Sequence, residues 1–257
     1  MSQAIGALGA EAAAGLAAQG YGIISPDQFR IDIEPEFKEL WRRVQPFTMT
    51  SLERGYALYQ AVRYLCDHSI PGSLVECGVW KGGSCMIMAM ALLARRDEER
   101  TIYLYDTFTG MPEPTDHDRI AWNGRPVREK WEADHEGRGH YFTGWAVGAE
   151  EVRQNLRSVG WPESRTVVVE GDVGKTLDRV RPDRIALLRL DTDWYESTAI
   201  ELDRLYPRLS AGGVLVIDDY GHFVGARKAV DDYFADPSRI ILLNRVDYTG
   251  RVGVKIA

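Results

Sequence analysis

The segment Leu74-Val-Glu-Cys-Gly-Val-Trp-Lys-Gly-Gly-Ser84 decides the fold. It begins with an apolar run typical of a buried strand, and Ser84 opens a run with the apolar spacing of a helix. Gly78 permits a sharp turn, and Gly82 and Gly83 let the backbone approach a ligand closely. The segment therefore predicts a strand, a turn and a helix whose first N–H groups bind an anionic group. Taken alone, it fits a turn without a ligand equally well.

Strand-like runs alternate with helical patterns around this segment, as in a parallel α/β sheet. We expect one doubly wound α/β domain over residues 51–257, with seven mostly parallel strands, an antiparallel last strand and helices on both faces. The predicted strands are 73–77, 101–105, 166–170, 185–190, 214–217, 240–243 and 253–256. The predicted helices are 52–67, capped by Ser51, 84–95, 149–158, 195–209 and 224–234.

Residues 107–148 interrupt this alternation. The stretch is irregular and contains Trp122, Trp131 and Trp145. Long irregular stretches in compact domains are usually functional, so we expect a lid over the active site with short helices of its own. Residues 1–50 are predicted to form an N-terminal helical extension, whose end is expected, from the family resemblance given below, to cover the bound ligand. They contain no pattern of a secretory signal.

Composition excludes several classes of function. The formal charge of −7 on 257 residues argues against nucleic acid as a partner. No apolar run is long enough to cross a membrane. The odd set of three cysteines has no paired spacing, which argues against disulfides and a CxxC metal site. We expect free thiols in a cytoplasmic homo-oligomer that acts on a small molecule.

The ends of the first three strands predict an adenosine-containing cofactor. Glu76 can accept from an amino group and Ser84 lies where a carboxylate would bind, which fits the methionine part of S-adenosylmethionine. Asp106 can accept from the ribose hydroxyls, although it could also be an ordinary loop residue. Asp172 ends the third strand, where a polar side chain can contact adenine.

A nicotinamide enzyme would share this architecture but not these residues. Dinucleotide-binding oxidoreductases use G-x-G-x-x-G, and the glycine spacing here differs. None of the twelve tyrosines has a lysine four residues later, as the sugar-nucleotide dehydrogenases and epimerases require. Both absences favour a methyl donor.

Acidic residues follow the fourth and fifth strands. Asp191 ends one, and Asp218 and Asp219 end the other. Neighbouring strands would bring the three carboxylates together, and an all-oxygen set favours Mg²⁺. Alternatively, some of them cap helices or pair with Arg189 or Arg227. A bound cation would acidify an acceptor hydroxyl, with Asp191 as the proposed base and His222 as the alternative.

Four motifs together resemble the macrocin O-methyltransferase family. They are Glu76–Ser84, Leu190–Tyr195, Tyr206–Gly213 and Ile217–Tyr220. The resemblance implies a Rossmann-like class I methyltransferase fold, Mg²⁺ dependence and a deoxysugar hydroxyl as acceptor. By position it implies Asp191, Asp218 and Asp219 as metal ligands, with Asp191 also the base. The expected cofactor contacts are Thr48, Met49, Glu76, Gly78, Trp80, Gly82, Ser84, Asp106, Thr107 and Asp172.

The lid resembles the family less than the rest of the chain does, so the resemblance does not assign acceptor specificity to lid residues. We expect the 3′-hydroxyl of TDP-rhamnose, whose pyrophosphate would need basic residues. The candidates in the lid are Arg119, Arg125, Arg128 and Arg138, unless they belong to a solvated loop. A sugar already attached to an aglycone would instead need an apolar trough, which the lid tryptophans could supply. A catechol-type acceptor is a further alternative.

Overall fold

The computed structural model describes residues 15–20, 32–97 and 99–256. The chain divides into two compact units, residues 1–39 and 40–257, and the second contains the sheet and the site. Much of the predicted N-terminal extension, residues 1–14 and 21–31, lies outside the described residues. In the described part of the chain, no helix combines the length and apolar character needed to cross a bilayer.

Seven strands of the described chain form one sheet in the order β3-β2-β1-β4-β5-β7-β6. Strands β1 to β5 are parallel, and β7 is antiparallel to its neighbours β5 and β6. The order reverses between β1 and β4, which opens a crevice at their carboxyl ends. The strands are β1 (Ser73–Cys77), β2 (Ile102–Asp106), β3 (Thr166–Glu170), β4 (Ile185–Leu190), β5 (Leu209–Ile217), β6 (Asn244–Arg245) and β7 (Arg251–Val254). The predicted fold class is confirmed.

Helices cover both faces of the sheet. One layer contains α2 and α3, which contact β4, β5 and β2, and the other contains α7 and α8. Val75 and Leu188 project from the strands into a core with Leu202 of α7 and Val230 of α8. Alternate strand residues point to the opposite layer. The helices are α1 (Pro35–Val44), α2 (Leu52–Asp67), α3 (Gly83–Ala94), α4 (Arg128–His135), α5 (Ala149–Ser158), α6 (Val173–Thr176), α7 (Tyr195–Leu205) and α8 (Val224–Phe234).

Local sequence explains the elements that flank the site. The Ser51 side chain accepts a hydrogen bond from the Arg54 N–H and so caps α2, as predicted. Helix α3 is apolar nearly all round and almost completely buried, because it lies between the sheet and other helices. Strand β4 is buried along its whole length, as expected for the central strand of a covered parallel sheet.

Several predicted bounds near the end of the chain are wrong, including those of the last strand, which covers Arg251–Val254 rather than 253–256. The helix predicted to reach residue 209 ends at Leu205, because Pro207 lacks an N–H and turns the chain into a 3₁₀ turn. Strand β5 accordingly begins at Leu209 rather than at residue 214. The run 240–243 is not a strand. By the antiparallel register of β6 with β7, residues 240 and 241 lie beyond the end of β7, and residues 242 and 243 lie opposite Val254 and Gly253 without pairing with them.

Candidate active site

The turn after β1 requires glycine because it passes close to the end of β4. Gly78 has φ +81°, and a Cβ there would lie 2.0 Å from the Asp191 carbonyl oxygen. The Asp191 N–H donates to the Cys77 carbonyl (2.8 Å), and the Gly78 N–H donates to the Tyr105 carbonyl (2.8 Å). The loop is therefore fixed to β2 and β4 at the switch point, where the fold predicts a ligand.

The segment around Thr48 lies against the start of α3. A Cβ at Gly83 would approach the Phe47 carbonyl oxygen to 2.5 Å and the Thr48 Cβ to 2.6 Å. Thr48 and Met49 line the same cleft as the glycine loop. The segment therefore lies at the wall of the cleft, and its role in covering the cofactor stays a prediction.

Asp106 lies between the glycine loop and the start of the lid. Its Oδ2 accepts from the Val79 N–H (2.6 Å) and the Trp80 N–H (3.2 Å), and its Oδ1 accepts from the Phe108 N–H (2.8 Å). The Thr107 hydroxyl donates to the Gly110 carbonyl (2.7 Å). These bonds fix the carboxylate at the cavity wall and leave lone pairs for ribose hydroxyls.

Two adjoining cavities share Gly78, Asp106 and Asp191. The first, about 970 Å³ and open to solvent, contains the glycine loop and the acidic residues. The second, about 1040 Å³, extends past Thr107 to Asp172. Together they suit an elongated cofactor, with methionine in the first and adenosine in the second. Of the predicted cofactor residues, all but Gly82 line one cavity or the other; Gly82 lies at the start of α3 with φ +82°.

Asp172 also has a structural role. Its side chain accepts from the Gly174 N–H (2.7 Å) and caps α6, and it remains on the wall of the second cavity. The predicted adenine contact thus lies at a capped turn.

Acidic residues from β4 and β5 meet at the first cavity. Carboxylate oxygens of Asp191, Asp193 and Asp219 lie within 4.8 Å of one another. Burial raises the pKa of Asp191 to about 6 and that of Asp193 to about 8. Burial also raises the pKa of Asp219 well above its usual range, with the neighbouring Asp193 and Asp218 adding to the shift. The cluster therefore resists carrying its full negative charge without a cation.

Two arginines hydrogen-bond to Asp218. Arg189 donates through Nη2 to its Oδ1 (2.6 Å), and Arg54 donates to its Oδ2. Arg189 also donates through Nη1 to Asp191 Oδ2 and to Glu76, each at 2.6 Å. The metal set predicted from sequence, Asp191, Asp218 and Asp219, stays a prediction. Here the three acids that face one another include Asp193 instead of Asp218.

The chemistry of this donor set fits a divalent cation. Five carboxyl groups gather around two guanidinium groups, and a sixth, Asp247, accepts from Arg54 Nε (3.0 Å), so an excess of negative charge remains when the acids are ionised. All the donors are oxygens, which Mg²⁺ prefers. The acids are Glu76, Asp191, Asp193, Asp218 and Asp219, and the arginines are Arg54 and Arg189.

Glu76 is more enclosed than its predicted role suggests. Its side chain is 1% exposed and accepts from Arg189 Nη1 (2.6 Å) and from Cys85 Sγ (2.6 Å). Burial raises its pKa to about 7 despite the adjacent guanidinium. The register pairs Glu76 directly with Arg189 across β1 and β4. Glu76 therefore connects the cofactor loop to the acidic cluster as well as lining the cavity.

A known protein family matches most of the chain. The model of the macrocin O-methyltransferase (TylF) family matches residues 38–252. The chain belongs to this family. It is an S-adenosylmethionine-dependent O-methyltransferase, as the sequence predicts, and the family resemblance is confirmed.

Curated relatives and solved structures agree with this assignment. The methyltransferase is 36% identical over 79% of its length to the 8-demethyl-8-(2,3-dimethoxy-alpha-L-rhamnosyl)-tetracenomycin-C 4′-O-methyltransferase of Streptomyces olivaceus, covering 73% of that protein. It is 34% identical to the demethyldecarbamoylnovobiocin O-methyltransferase of Streptomyces niveus, over 73% of this chain and 68% of that one. The O-methyltransferase NovP structure matches with a TM-score of 0.70 and 31% identity, over 82% of this chain and 83% of its own. The calicheamicin methyltransferase CalS11 shares the fold at 20% identity, with a TM-score of 0.62 over 92% and 95% of the two chains.

The lid of the methyltransferase packs onto the loop after β4. Val127 and Phe142 form a small core with Trp194 and Phe223. The buried Asp118 carboxylate accepts from the Tyr195 N–H (2.8 Å), and the Trp194 indole donates to a lid carbonyl (2.9 Å). Helix α4 and a 3₁₀ turn lie within the lid, which agrees with the expected short helices.

His222 lines the acid-containing cavity, as the sequence suggested. Its Nδ1 lies 3.0 Å from the Tyr248 hydroxyl, and burial lowers its pKa. The lid histidines differ: His117 packs on the Tyr195 ring, and His135 stacks on Trp131. Of the lid and loop histidines, His222 alone lines either of the two cavities described above.

Sequence reasoning missed Asp193, Arg54 and the Arg189–Glu76 pair. Asp193 is close enough to Asp191 in sequence to have been a candidate. Its left-handed backbone (φ +64°) cannot be predicted from the sequence pattern. Arg54 comes from α2 and reaches Asp218 across the fold, and no local pattern signals such a contact. The alternation of β1 and β4 could have indicated that Glu76 and Arg189 face the same layer.

Proposed function

We propose that the enzyme transfers a methyl group from S-adenosylmethionine to a deoxysugar hydroxyl with the assistance of Mg²⁺. The observation that carries the proposal is the cluster of Asp191, Asp193 and Asp219 in the first cavity, of which Asp191 also lines the second. There the cluster adjoins the cofactor loop and opens to solvent, where an acceptor can enter. A sugar hydroxyl is a weak acid, so its transfer needs both positioning and charge stabilisation.

The chain's own residues would act as follows. Asp191 and Asp219 would hold the cation, which would lower the pKa of an acceptor hydroxyl beside it. Asp191 takes the hydroxyl proton as the oxygen–carbon bond forms and the carbon–sulfur bond of the donor breaks. Arg189 and Arg54 hold Asp218 in place beside the cluster.

The acceptor that we favour is a sugar already attached to an aglycone. Two relatives more than 30% identical to this chain are named as O-methyltransferases of a rhamnosyl tetracenomycin and of demethyldecarbamoylnovobiocin. The arginines expected to bind a pyrophosphate do not line either cavity. Arg128 pairs with Glu113, Arg138 pairs with Glu136, and Arg119 donates to the Gly124 carbonyl. TDP-rhamnose remains the second candidate, from the family resemblance.

The acceptor is tested with methyl-labelled S-adenosylmethionine, Mg²⁺ and a panel of three compounds. The panel contains the rhamnosyl tetracenomycin named for the relative, TDP-rhamnose and catechol. We expect label in the glycoside, with NMR locating the new methyl ether on the sugar. Label in TDP-rhamnose alone would select the second candidate. Label in catechol alone would contradict the proposed function.

We further propose a cytoplasmic homo-oligomer. Cys66, Cys77 and Cys85 are free thiols, which suits a reducing compartment. Ile240 and Leu242 are 66% and 71% exposed near the edge strand β6, and apolar side chains at a sheet edge favour association. Light scattering after size exclusion measures the mass; a monomer at micromolar concentration would contradict the proposal.

A further inference from the structure

Exposed aromatic side chains of the described residues occur at one place. Trp122, Tyr141 and Tyr248 are 64%, 42% and 55% exposed, and the other described Trp, Tyr and Phe residues are buried or half-buried. Tyr141 and Tyr248 line the cavity that contains the acidic cluster. Exposed apolar groups gathered at one cleft are typical of a binding surface.

Backbone hydrogen bonds fix Trp122 beside this cavity. The Ala121 N–H donates to the His222 carbonyl (2.9 Å), and the Val224 N–H donates to the Arg119 carbonyl (2.8 Å). An isolated bridge between Ile120 and Phe223 lies between them. The lid segment that precedes Trp122 is thus attached to the loop after β5, and the exposure of the indole does not come from an unanchored chain.

His222 connects Trp122 to Tyr248. The Trp122 and His222 rings meet edge to face with centroids 4.7 Å apart. His222 Nδ1 lies 3.0 Å from the Tyr248 hydroxyl, and their ring centroids are 6.1 Å apart. We call Trp122, Tyr141, His222 and Tyr248 the aromatic rim.

The aromatic rim and the acidic cluster form a cleft with two unlike ends. Asp191, Asp193 and Asp219 offer oxygens for a hydroxyl and a cation, whereas the rim offers aromatic surface, with the Lys130 ammonium 3.1 Å from the centroid of the Tyr141 ring. A free sugar needs only the polar end. A ligand that fills both ends carries a sugar hydroxyl on one side and a flat apolar group on the other.

We propose that the aromatic rim binds an apolar or aromatic ring system carried by the acceptor sugar, with Trp122 as its main contact. This inference rests on the proposed function and assigns specificity for the aglycone to the rim. Met49, 52% exposed on the same cavity wall, adds a flexible apolar surface. The acidic cluster then selects the hydroxyl, and the rim selects what the sugar is attached to.

The test compares two probes that share one sugar. Dissociation constants of 2-naphthyl α-L-rhamnoside and methyl α-L-rhamnoside are measured by calorimetry on the full chain with S-adenosylhomocysteine and Mg²⁺ present. We expect the wild type to prefer the naphthyl probe by about tenfold or more, since an aromatic contact and its buried area contribute on that order. Trp122→Ala should reduce this preference for the naphthyl probe by about tenfold, and Trp122→Phe should retain part of the preference.

Leu93→Ala is the control, because Leu93 is 38% exposed in the last turn of α3 and lines neither cavity. It should leave the ratio unchanged. A wild-type ratio near one, a ratio unaffected by Trp122→Ala, or binding of neither probe would overturn the proposal. If Trp122→Ala changes the mass of the assembly in solution but not the ratio of the two dissociation constants, the indole belongs to a contact between copies of the chain. That result would also overturn the proposal.

Methyl transfer to the acceptor panel is measured on the same preparations. If the enzyme methylates a sugar but Trp122→Ala does not change the ratio of the two probe dissociation constants, the proposal for the aromatic rim is contradicted and the proposed function is not. Transfer to catechol alone would count against the proposed function, whatever the probes show.

Discussion

Replacing Arg189 with Met should lower the free energy of unfolding by about 3–5 kcal/mol. The Arg189 side chain is 3% exposed and donates hydrogen bonds of 2.6 Å to Glu76, Asp191 and Asp218. Removing one partner of a buried ion pair costs about 3–5 kcal/mol, because the other charge stays buried and uncompensated. The three pairs do not add, since Asp218 keeps Arg54 and Glu76, with a pKa of about 7, can take up a proton.

Differential scanning fluorimetry and urea denaturation measure this loss. For a chain of this size, about 3–5 kcal/mol corresponds to a fall in Tm of roughly 6–20 °C. Arg204→Met is the matched control. Arg204 is 40% exposed and pairs with Asp178 and Asp203 at the surface, so its removal should cost less than about 1 kcal/mol. Equal losses in the two variants would refute the assignment of Arg189 as the charge that holds the cluster together.

Three further predictions concern the cofactor turn, the base and a buried acid. Gly78→Ala should abolish binding of S-adenosylhomocysteine in calorimetry, because the added Cβ would collide with the Asp191 carbonyl; micromolar binding would contradict this. Asp191→Asn should lower kcat by about 10²–10⁴-fold, and His222→Gln by much less; the reverse order would make histidine the base. Burial raises the pKa of Glu201 well above its usual range, so the folded state binds a proton that the unfolded state releases, and stability falls as the pH rises above the ordinary Glu pKa of 4.5. Glu201→Gln should show a smaller fall over this rise in pH in urea denaturation, and an equal fall would contradict a neutral Glu201.

The sequence predicts most of what backbone periodicity controls. Strands β1, β3 and β4 and helices α2, α5 and α8 have the predicted bounds, because each has a regular apolar pattern and clear flanking signals. The strand predicted at 240–243 is wrong because an apolar pattern does not show whether a segment pairs with a neighbouring strand. At the site, the sequence correctly predicts which loops lie close together, because the carboxyl ends of parallel strands lie at the same edge of the sheet.

The sequence does not predict which of the acidic residues at the site pair with arginines and which face one another. Asp191, Asp193, Asp218 and Asp219 look equivalent in sequence. In the fold, Asp218 accepts from Arg189 and Arg54, while Asp193 turns toward Asp219 through a left-handed backbone. These differences depend on α2 and on the register of β1 with β4, which are long-range features of the tertiary structure.

The claim that a cation held by the acidic cluster assists methyl transfer is tested most directly by the initial rate with labelled S-adenosylmethionine and the accepted sugar. The rate is measured after EDTA treatment, after addition of Mg²⁺, and in Asp219→Asn under both conditions. We predict that EDTA abolishes the rate in the wild type and that Mg²⁺ restores it, whereas Asp219→Asn stays slow at Mg²⁺ concentrations that saturate the wild type. A full rate in EDTA would contradict the account.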